Sequence, residues 1–411
     1  MRVGILLSQP ANQSLGTDNR VSGILKGLDS LGVETSVLVP DEVKNGQPGL
    51  NPLDLRRTRQ PSGLTQRFAR RFLASPALGN AIFWSPLLLR RQIGLLAKGV
   101  ISLNPDVDVL QGEQQLASMA VVEAGRALGL PAVADLHAIW SEELVALGST
   151  QRGGRADRNI RALESAIVAG ADHVSVVSSE MREYLLSELS ADPTRISVIP
   201  NGADPQIAAA PMRPNPRRVV FAGMLSPIQN IKLLLQAMSI VCGRMPNVEF
   251  YLTSKGELAG SVRKQCEKMG LRPRFFWFQD PERLFEFLAA CDVGLLPTHG
   301  DRSRQMAYPT KLYAYMSVGL PIVTNRIGSW SDMVENEGIG IVTDSTPSSF
   351  ANGVIELLEN PSRSQRCGER ALALIRTKYA FAKQAEKFAV VYSDLCGHRV
   401  GPARIQNLES R

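Results

Sequence analysis

At 411 residues the chain exceeds the size at which a single hydrophobic core keeps growing, so two domains are expected. Its 44% apolar and 21% charged residues are those of an ordinary globular protein and exclude a disordered one, and no apolar run of about eighteen residues could span a bilayer. The net charge of +7 is unevenly placed: residues 55–100 hold nine basic side chains and no acid, a local patch rather than a general basicity.

The chain opens on an apolar run, 3–7, that resembles a first β-strand. It lacks the long apolar region and small-residue cleavage site of a signal peptide, which makes a cytoplasmic location the expectation. Further strand-like runs follow at 35–39, 107–110, 132–136, 174–177 and 197–199, alternating with helical patterns. Between the second and third, Leu64, Phe68 and Phe72 recur at helical spacing with Arg67, Arg70 and Arg71 on the other side, which predicts a basic amphipathic helix. A second helix follows with Pro86 in its first turn, carrying Arg90, Arg91 and Lys98. This segment is either a solvated face over the core or a surface for anionic lipid headgroups or a pyrophosphate-linked acceptor. Its aromatic side chains suit helix packing better than a row of base-stacking platforms, so nucleic acid is not expected.

A Pro-rich stretch at 211–216 disfavours both helix and central strand and reads as a linker. Beyond it the alternation restarts, with strands expected at 219–222, 248–252, 275–278, 293–296, 322–324 and 340–342. Alternating strands and helices imply parallel sheets with crossover helices, hence an α/β chain of two Rossmann-like, doubly wound domains. The expected boundaries are 1–200 and 201–380, a C-terminal helix over 381–396 packing back across the junction, and a polar tail over 397–411. Five cysteines, an odd number with no C-x-x-C pair, point to reduced thiols rather than disulfides or zinc ligands.

The stretch 309–324 carries the most chemical information. A short apolar strand closed by Pro297 precedes it; Gly319 can take a left-handed C-cap, Pro321 forbids continuation, and Ile322 starts the next strand. Thr310 is the expected N-cap, and Lys311 adds a full charge at the positive end of a helix that lies where phosphates bind in open α/β sheets. His137 follows an apolar strand at its carboxyl end, where ligand-binding side chains sit in this architecture; a hydrogen-bonded structural His is the alternative. Glu113 is either an interior-facing general base or, more readily, a solvated loop carboxylate. Asp106-Val-Asp108 has the D-x-D form of metal-dependent transferases, but it opens a strand whose core face needs Val107 and Val109, so no metal role is assigned.

Taken together, a Gly16-containing first loop, Asp135-Leu-His137, Val176-Val-Ser-Ser179, Ile199-Pro-Asn-Gly202, Val220-Phe-Ala-Gly-Met-Leu-Ser226, Asp292-Val-Gly-Leu-Leu-Pro297 and the 309–321 motif resemble the family 4-type retaining glycosyltransferases of the GT-B fold. The resemblance implies two domains facing a cleft, an acceptor on the first, a nucleoside-diphosphate sugar mainly on the second, and neither an obligatory metal nor a cofactor beyond that sugar donor. It implies that His137 contacts the donor sugar or orients the acceptor, that Gly16 and Arg20 lie in a loop touching donor phosphate and acceptor, that Gly223 admits the diphosphate, and that Asn201 serves the hinge. The family's Arg and Lys at the diphosphate and its ribose-binding Glu correspond here to Met224, Gln229 and Ala314, with Lys232, Lys311 or Arg304 as substitutes. Asp301 stands in for the family's remaining acid, whose own position is Met306. Implied partners are a nucleotide-sugar donor, a glycan or lipid-linked acceptor and an anionic membrane surface. A non-catalytic GT-B binding partner and a sugar-nucleotide epimerase remain as alternatives.

Overall fold

The computed structural model describes residues 1–8, 15–40, 57–58, 85–206, 217–278 and 280–397, of which 15–19, 39–40 and 57–58 are described by backbone alone. Arg67, Arg70 and Arg71, the linker at 211–216 and the tail from 398 onward lie outside these residues. The chain divides into two compact units, Met1–Pro200 with Phe381–Arg411, and Asn201–Ala380.

In the first unit, strands β1 (Arg2–Leu7), β2 (Glu34–Pro40), β3 (Arg57–Thr58), β4 (Val109–Glu113), β5 (Ala132–Leu136), β6 (His173–Val176) and β7 (Ile196–Val198) form one sheet in the order 3-2-1-4-5-6-7. Every pairing in it is parallel. The reversal of strand order beside β1 is the topological switch point at which such sheets bind ligands. Helices α1 (Leu15–Ser30), α2 (Pro86–Leu103), α3 (Gln114–Leu128), α4 (Trp140–Ala146), α5 (Arg155–Gly170) and α6 (Ser179–Glu188) make the crossovers. Central strands β1, β4 and β5 are buried almost throughout, as continuous apolar runs covered on both faces should be. Gly16, expected in a loop, is instead the second residue of α1. Pro86 occupies the first turn of α2, where its missing N–H costs nothing, and Ser85 caps that helix.

The C-terminal helix of this unit, later called α15 (Phe381–Cys396), packs on α1. Gly23 and Gly27 leave room on α1 for the Phe381 ring and the Ala385 methyl, so the two helices approach more closely than any larger side chain would permit. Phe388 and Tyr392 from α15 join Val3, Ile5, Val109 and Ile24 in one core, each large apolar side chain contributing about 1.5–3 kcal/mol.

The second unit repeats the plan. Strands β8 (Arg217–Phe221), β9 (Val248–Thr253), β10 (Arg274–Phe276), β11 (Val293–Leu296), β12 (Ile322–Asn325) and β13 (Gly340–Thr343) run parallel in the order 10-9-8-11-12-13. Around them lie α7 (Ile231–Arg244), α8 (Ala259–Lys268), α9 (Pro281–Ala289), α10 (Arg302–Met306), α11 (Thr310–Ser317), α12 (Ser329–Asn336), α13 (Pro347–Glu359) and α14 (Pro361–Leu374). Core clusters fill both faces of the sheet, one around Phe221, Leu234 and Phe350, the other around Tyr313, Tyr315 and Trp330. All five cysteines are free thiols, and Cys266, Cys291 and Cys367 are buried. Among the described residues, no helix is long and apolar enough to cross a membrane.

Candidate functional site

Each unit gathers charged side chains at the carboxyl ends of its central strands. In the first, β5 ends on Asp135 and Leu136, so His137 follows directly, and β4 ends on Glu113 beside it. The imidazole Nε2 lies 2.8 Å from Asp135 Oδ2 and 3.1 Å from Glu113 Oε2. Burial opposes charge on the ring, but the two carboxylates outweigh it and raise the imidazole to about 9, so His137 is an imidazolium at neutral pH. Asp135 is held well below the usual range despite burial, because the Arg20 guanidinium and His137 both face it.

Arg20 does not reach outward. It is 2% exposed and donates Nε to Asp135 Oδ2 at 3.0 Å and Nη2 to Asp135 Oδ1 at 3.2 Å. Two further hydrogens go to the carbonyls of Pro200 at 2.7 Å and Ile199 at 3.0 Å. These bonds make a buried bidentate pair that ties α1 to β5 and to the chain after β7. Ser175 Oγ completes Asp135 at 2.6 Å. Glu113, expected in solvent, is buried instead: Gln111 Nε2 donates to its Oε1 at 2.6 Å, and Tyr392 hydroxyl donates to Gln111.

A second polar network fixes the loop that carries His137. Glu164 accepts from Ser141 Oγ at 2.7 Å and from the Ser141 backbone N–H at 3.3 Å, while Gln115 Nε2 donates to the Ala138 carbonyl at 2.7 Å. Burial pushes the Glu164 carboxyl up to about 7. Next to it, Glu142 takes Arg152 and Arg161 in ion pairs at 2.6 Å each.

Glu113, Asp135 and His137 offer ligand atoms within 4.8 Å of one another, the spacing a metal ion would need. Yet Nε2 bonds Asp135 and stands beside Glu113 as an ion pair, and Arg20 faces Asp135, so the charges balance without a divalent ion. Asp108, the end of the D-x-D sequence, precedes β4 and accepts from the Arg2 backbone N–H at 2.7 Å and from its guanidinium, which is a structural role.

In the second unit the candidates converge on Lys311. Its Nζ donates to Gln229 Oε1 at 2.8 Å and stands 4.8 Å from the centre of the Phe221 ring. Gly223 is where the side chain passes: a Cβ there would collide with Lys311 Cε and Nζ. The glycine thus admits the Lys311 side chain. Burial, with a smaller effect of the Arg304 charge, lowers the ammonium to about 7. Tyr315 sets this geometry by accepting from the Ala222 N–H at 2.9 Å and donating to the Leu295 carbonyl at 3.3 Å, which links β8, β11 and α11.

One expectation is corrected here. Pro309, not Thr310, is the N-cap of α11, and Thr310 is an exposed first-turn residue with no capping bond. Asp301 is the N-cap of α10: its Oδ1 accepts from the Arg304 N–H at 3.0 Å, so the carboxylate serves the helix end. Lys232 is exposed in the first turn of α7, and no contact joins it to Lys311. Asn201 is buried and donates Nδ2 to the Tyr308 carbonyl at 3.3 Å, which steadies the chain entering α11. Gly319 takes the left-handed conformation past the end of that helix, φ +66°, as expected. Met224 is 49% exposed and Ala314 half-buried, so neither supplies the charge that the family pattern places there.

Two parallel, doubly wound sheets with ionisable side chains at the carboxyl ends of their central strands define a protein of GT-B class. The family model for glycosyl transferase 4-like domains matches residues 16–202, and that for glycosyl transferases group 1 matches residues 216–360. The chain belongs to the group 1 glycosyltransferases. It is 25% identical over 256 residues to a D-inositol 3-phosphate glycosyltransferase of Corynebacterium glutamicum (strain R), covering 57% of this chain and 60% of that protein. It is 28% identical over 278 residues to the probable glycosyltransferase WbjE of Pseudomonas aeruginosa, covering 64% and 68%. The match thus spans less than two thirds of the first of these relatives. Among solved structures, sucrose-phosphate synthase from Thermosynechococcus elongatus superposes with a TM-score of 0.76 at 15% identity, over 96% of this chain and 99% of that one. Anabaena HepE in complex with UDP gives 0.66 at 17%, over 96% and 100%.

Proposed function

We propose that the protein transfers a sugar, with retention, from a nucleoside-diphosphate donor to a glycan or lipid-linked acceptor. One observation carries this: Lys311 Nζ lies 2.8 Å from Gln229, the position where the family pattern has its diphosphate lysine. The cation absent from the loop after β8 is supplied from α11. A glycosyl transition state gathers negative charge on the departing diphosphate, so an ammonium beside the N-terminus of an eight-residue helix is suited to stabilising it. The bond from the anomeric carbon to the diphosphate oxygen breaks while a bond to the acceptor hydroxyl oxygen forms. The proton of that hydroxyl leaves on the diphosphate. Asp301 is not needed for either step.

Thermal-shift titration with UDP, GDP, ADP and TDP tests the donor site. One nucleotide stabilises the protein, by about 2.7 kcal/mol at a hundred times its dissociation constant, and the shift disappears in Lys311→Ala. If no nucleotide shifts the wild type, the reading as a transferase gives way to that of a non-catalytic partner.

We further propose that the protein works at the cytoplasmic face of an anionic membrane. What supports this is α2, which exposes Leu87 (76%), Leu88 (43%), Leu95 (37%) and Ile101 (36%) among Arg90, Arg91 and Lys98 and contains no acid. Exposed leucines interleaved with cations suit the headgroup boundary, at about 1 kcal/mol per near-surface cation. Pelleting with phosphatidylserine vesicles is expected to fall by at least tenfold in an Arg90→Glu, Arg91→Glu variant; unchanged pelleting refutes the contact.

A further inference from the structure

A groove of about 400 Å³ opens at the outer edge of the second sheet, its lining including Glu335, Gly340, Val342, Arg363, Arg366 and Arg370. It lies at the start of β13, the end of the strand opposite to the carboxyl ends where Gly223 and Lys311 meet. β13 is an edge strand. Ile322 N–H donates to the Ile339 carbonyl and Arg326 N–H to the Thr343 carbonyl, so alternate residues of β13 turn their polar groups toward β12. The intervening pair, Gly340 and Val342, turns N–H and C=O outward into the groove.

The cations on the facing wall come from one side of α14, at positions 363, 366 and 370. Arg363 is committed to Glu356, and Glu335 to Arg326. Arg366 and Arg370 pair with no acid among the described residues. Arg370 is nonetheless placed: its guanidinium lies over Gly338, in space that a Cβ would fill. The wall therefore presents two uncompensated guanidiniums, one fixed by packing, opposite a strip of backbone donors and acceptors.

We propose that this groove binds a small phosphorylated sugar, with the phosphate on Arg366 and Arg370 and hydroxyl groups on the outward backbone of Gly340 and Val342. The volume suits a small molecule, paired guanidiniums suit a phosphate dianion, and mixed backbone donors and acceptors suit hydroxyls. The contact is not confined to the rim. Gly368 on α14 packs against the Gly319 backbone at the end of α11, so a ligand on α14 bears on the helix that carries Lys311.

Isothermal titration of the full chain with glucose 1-phosphate tests this. Saturable binding is expected in the wild type and in Lys311→Ala, with affinity reduced at least tenfold in Arg366→Ala, Arg370→Ala, and none for glucose itself. Both arginines are exposed, and the double variant should melt within a few degrees of the wild type; Arg366→Gln, Arg370→Gln serves if it does not. Absence of saturable binding overturns the proposal. So does binding that survives the double arginine change but is lost with Lys311, which would put the phosphate at the donor site.

Discussion

Replacing Lys311 by Met is expected to stabilise the protein while removing its response to nucleotides. The ammonium sits over the Phe221 ring with an amide oxygen as its hydrogen-bond acceptor and Arg304 as the nearby charge, and burial lowers it to about 7 from 10.5. The sign follows from linkage. Above pH 10.5 neither folded nor unfolded chain carries the proton and Lys311 costs nothing. As pH falls from 10.5 to about 7 the unfolded chain takes up the proton and the folded one does not, so stability is lost; below about 7 the penalty is constant. Met fills similar volume without the charge. Because Lys311 is only half-buried, the gain is put at about 1–3 kcal/mol, or roughly 2–10 °C, near and below neutral pH. It should vanish toward pH 10.5. An anionic ligand pays back this penalty in the wild type alone, so stability and nucleotide binding should trade against each other. A Met variant less stable than the wild type at pH 7 would show that the lysine is already neutralised in the fold.

Asp135→Asn is expected to have the opposite effect on stability and the largest in the first unit. The carboxylate compensates two buried cations, Arg20 at 3.0 Å and His137 at 2.8 Å, and removing one partner of a buried pair costs about 3–5 kcal/mol. The double change Arg20→Met, Asp135→Leu should cost less than Asp135→Asn, because no buried charge is left unpaired. Denaturant midpoints of the three variants check this, and equal losses in the single and double variants would sink it. Asp135→Asn should also bring the His137 imidazole down from about 9, readable in the pH dependence of its NMR signals. In the wild type that raised value contributes stability fully present below pH 6.5 and lost as pH rises through about 9, a loss the variant should largely lack.

The strands were legible because parallel sheets buried on both faces need unbroken apolar runs, which a chain displays locally. β5 and β11 have the expected limits, and β12 and β13 run one residue longer. β4 departs most, at 109–113 rather than 107–110. Its carboxyl half, Gln111-Gly-Glu113, looks like a polar loop in sequence. It is a buried strand because Gln111 meets Tyr392, 281 positions away. Thr310 departs for a related reason: a Thr before a helix resembles a cap. Only the path of the backbone shows Asp301 at the start of α10 and Pro309 in the cap position.

From residue order alone came the α/β class, the two sheets and the family resemblance. These rest on periodicity, turn chemistry and motif spacing, which act over a few residues. Tertiary structure decided which charges meet. Lys311 reaches Gln229 across 82 positions, so two segments far apart in the chain meet. Arg20 reaches Asp135 across 115 and is held inside the fold. Such pairings depend on which strands become neighbours and on where a glycine such as Gly223 leaves room, and a short stretch of sequence carries neither.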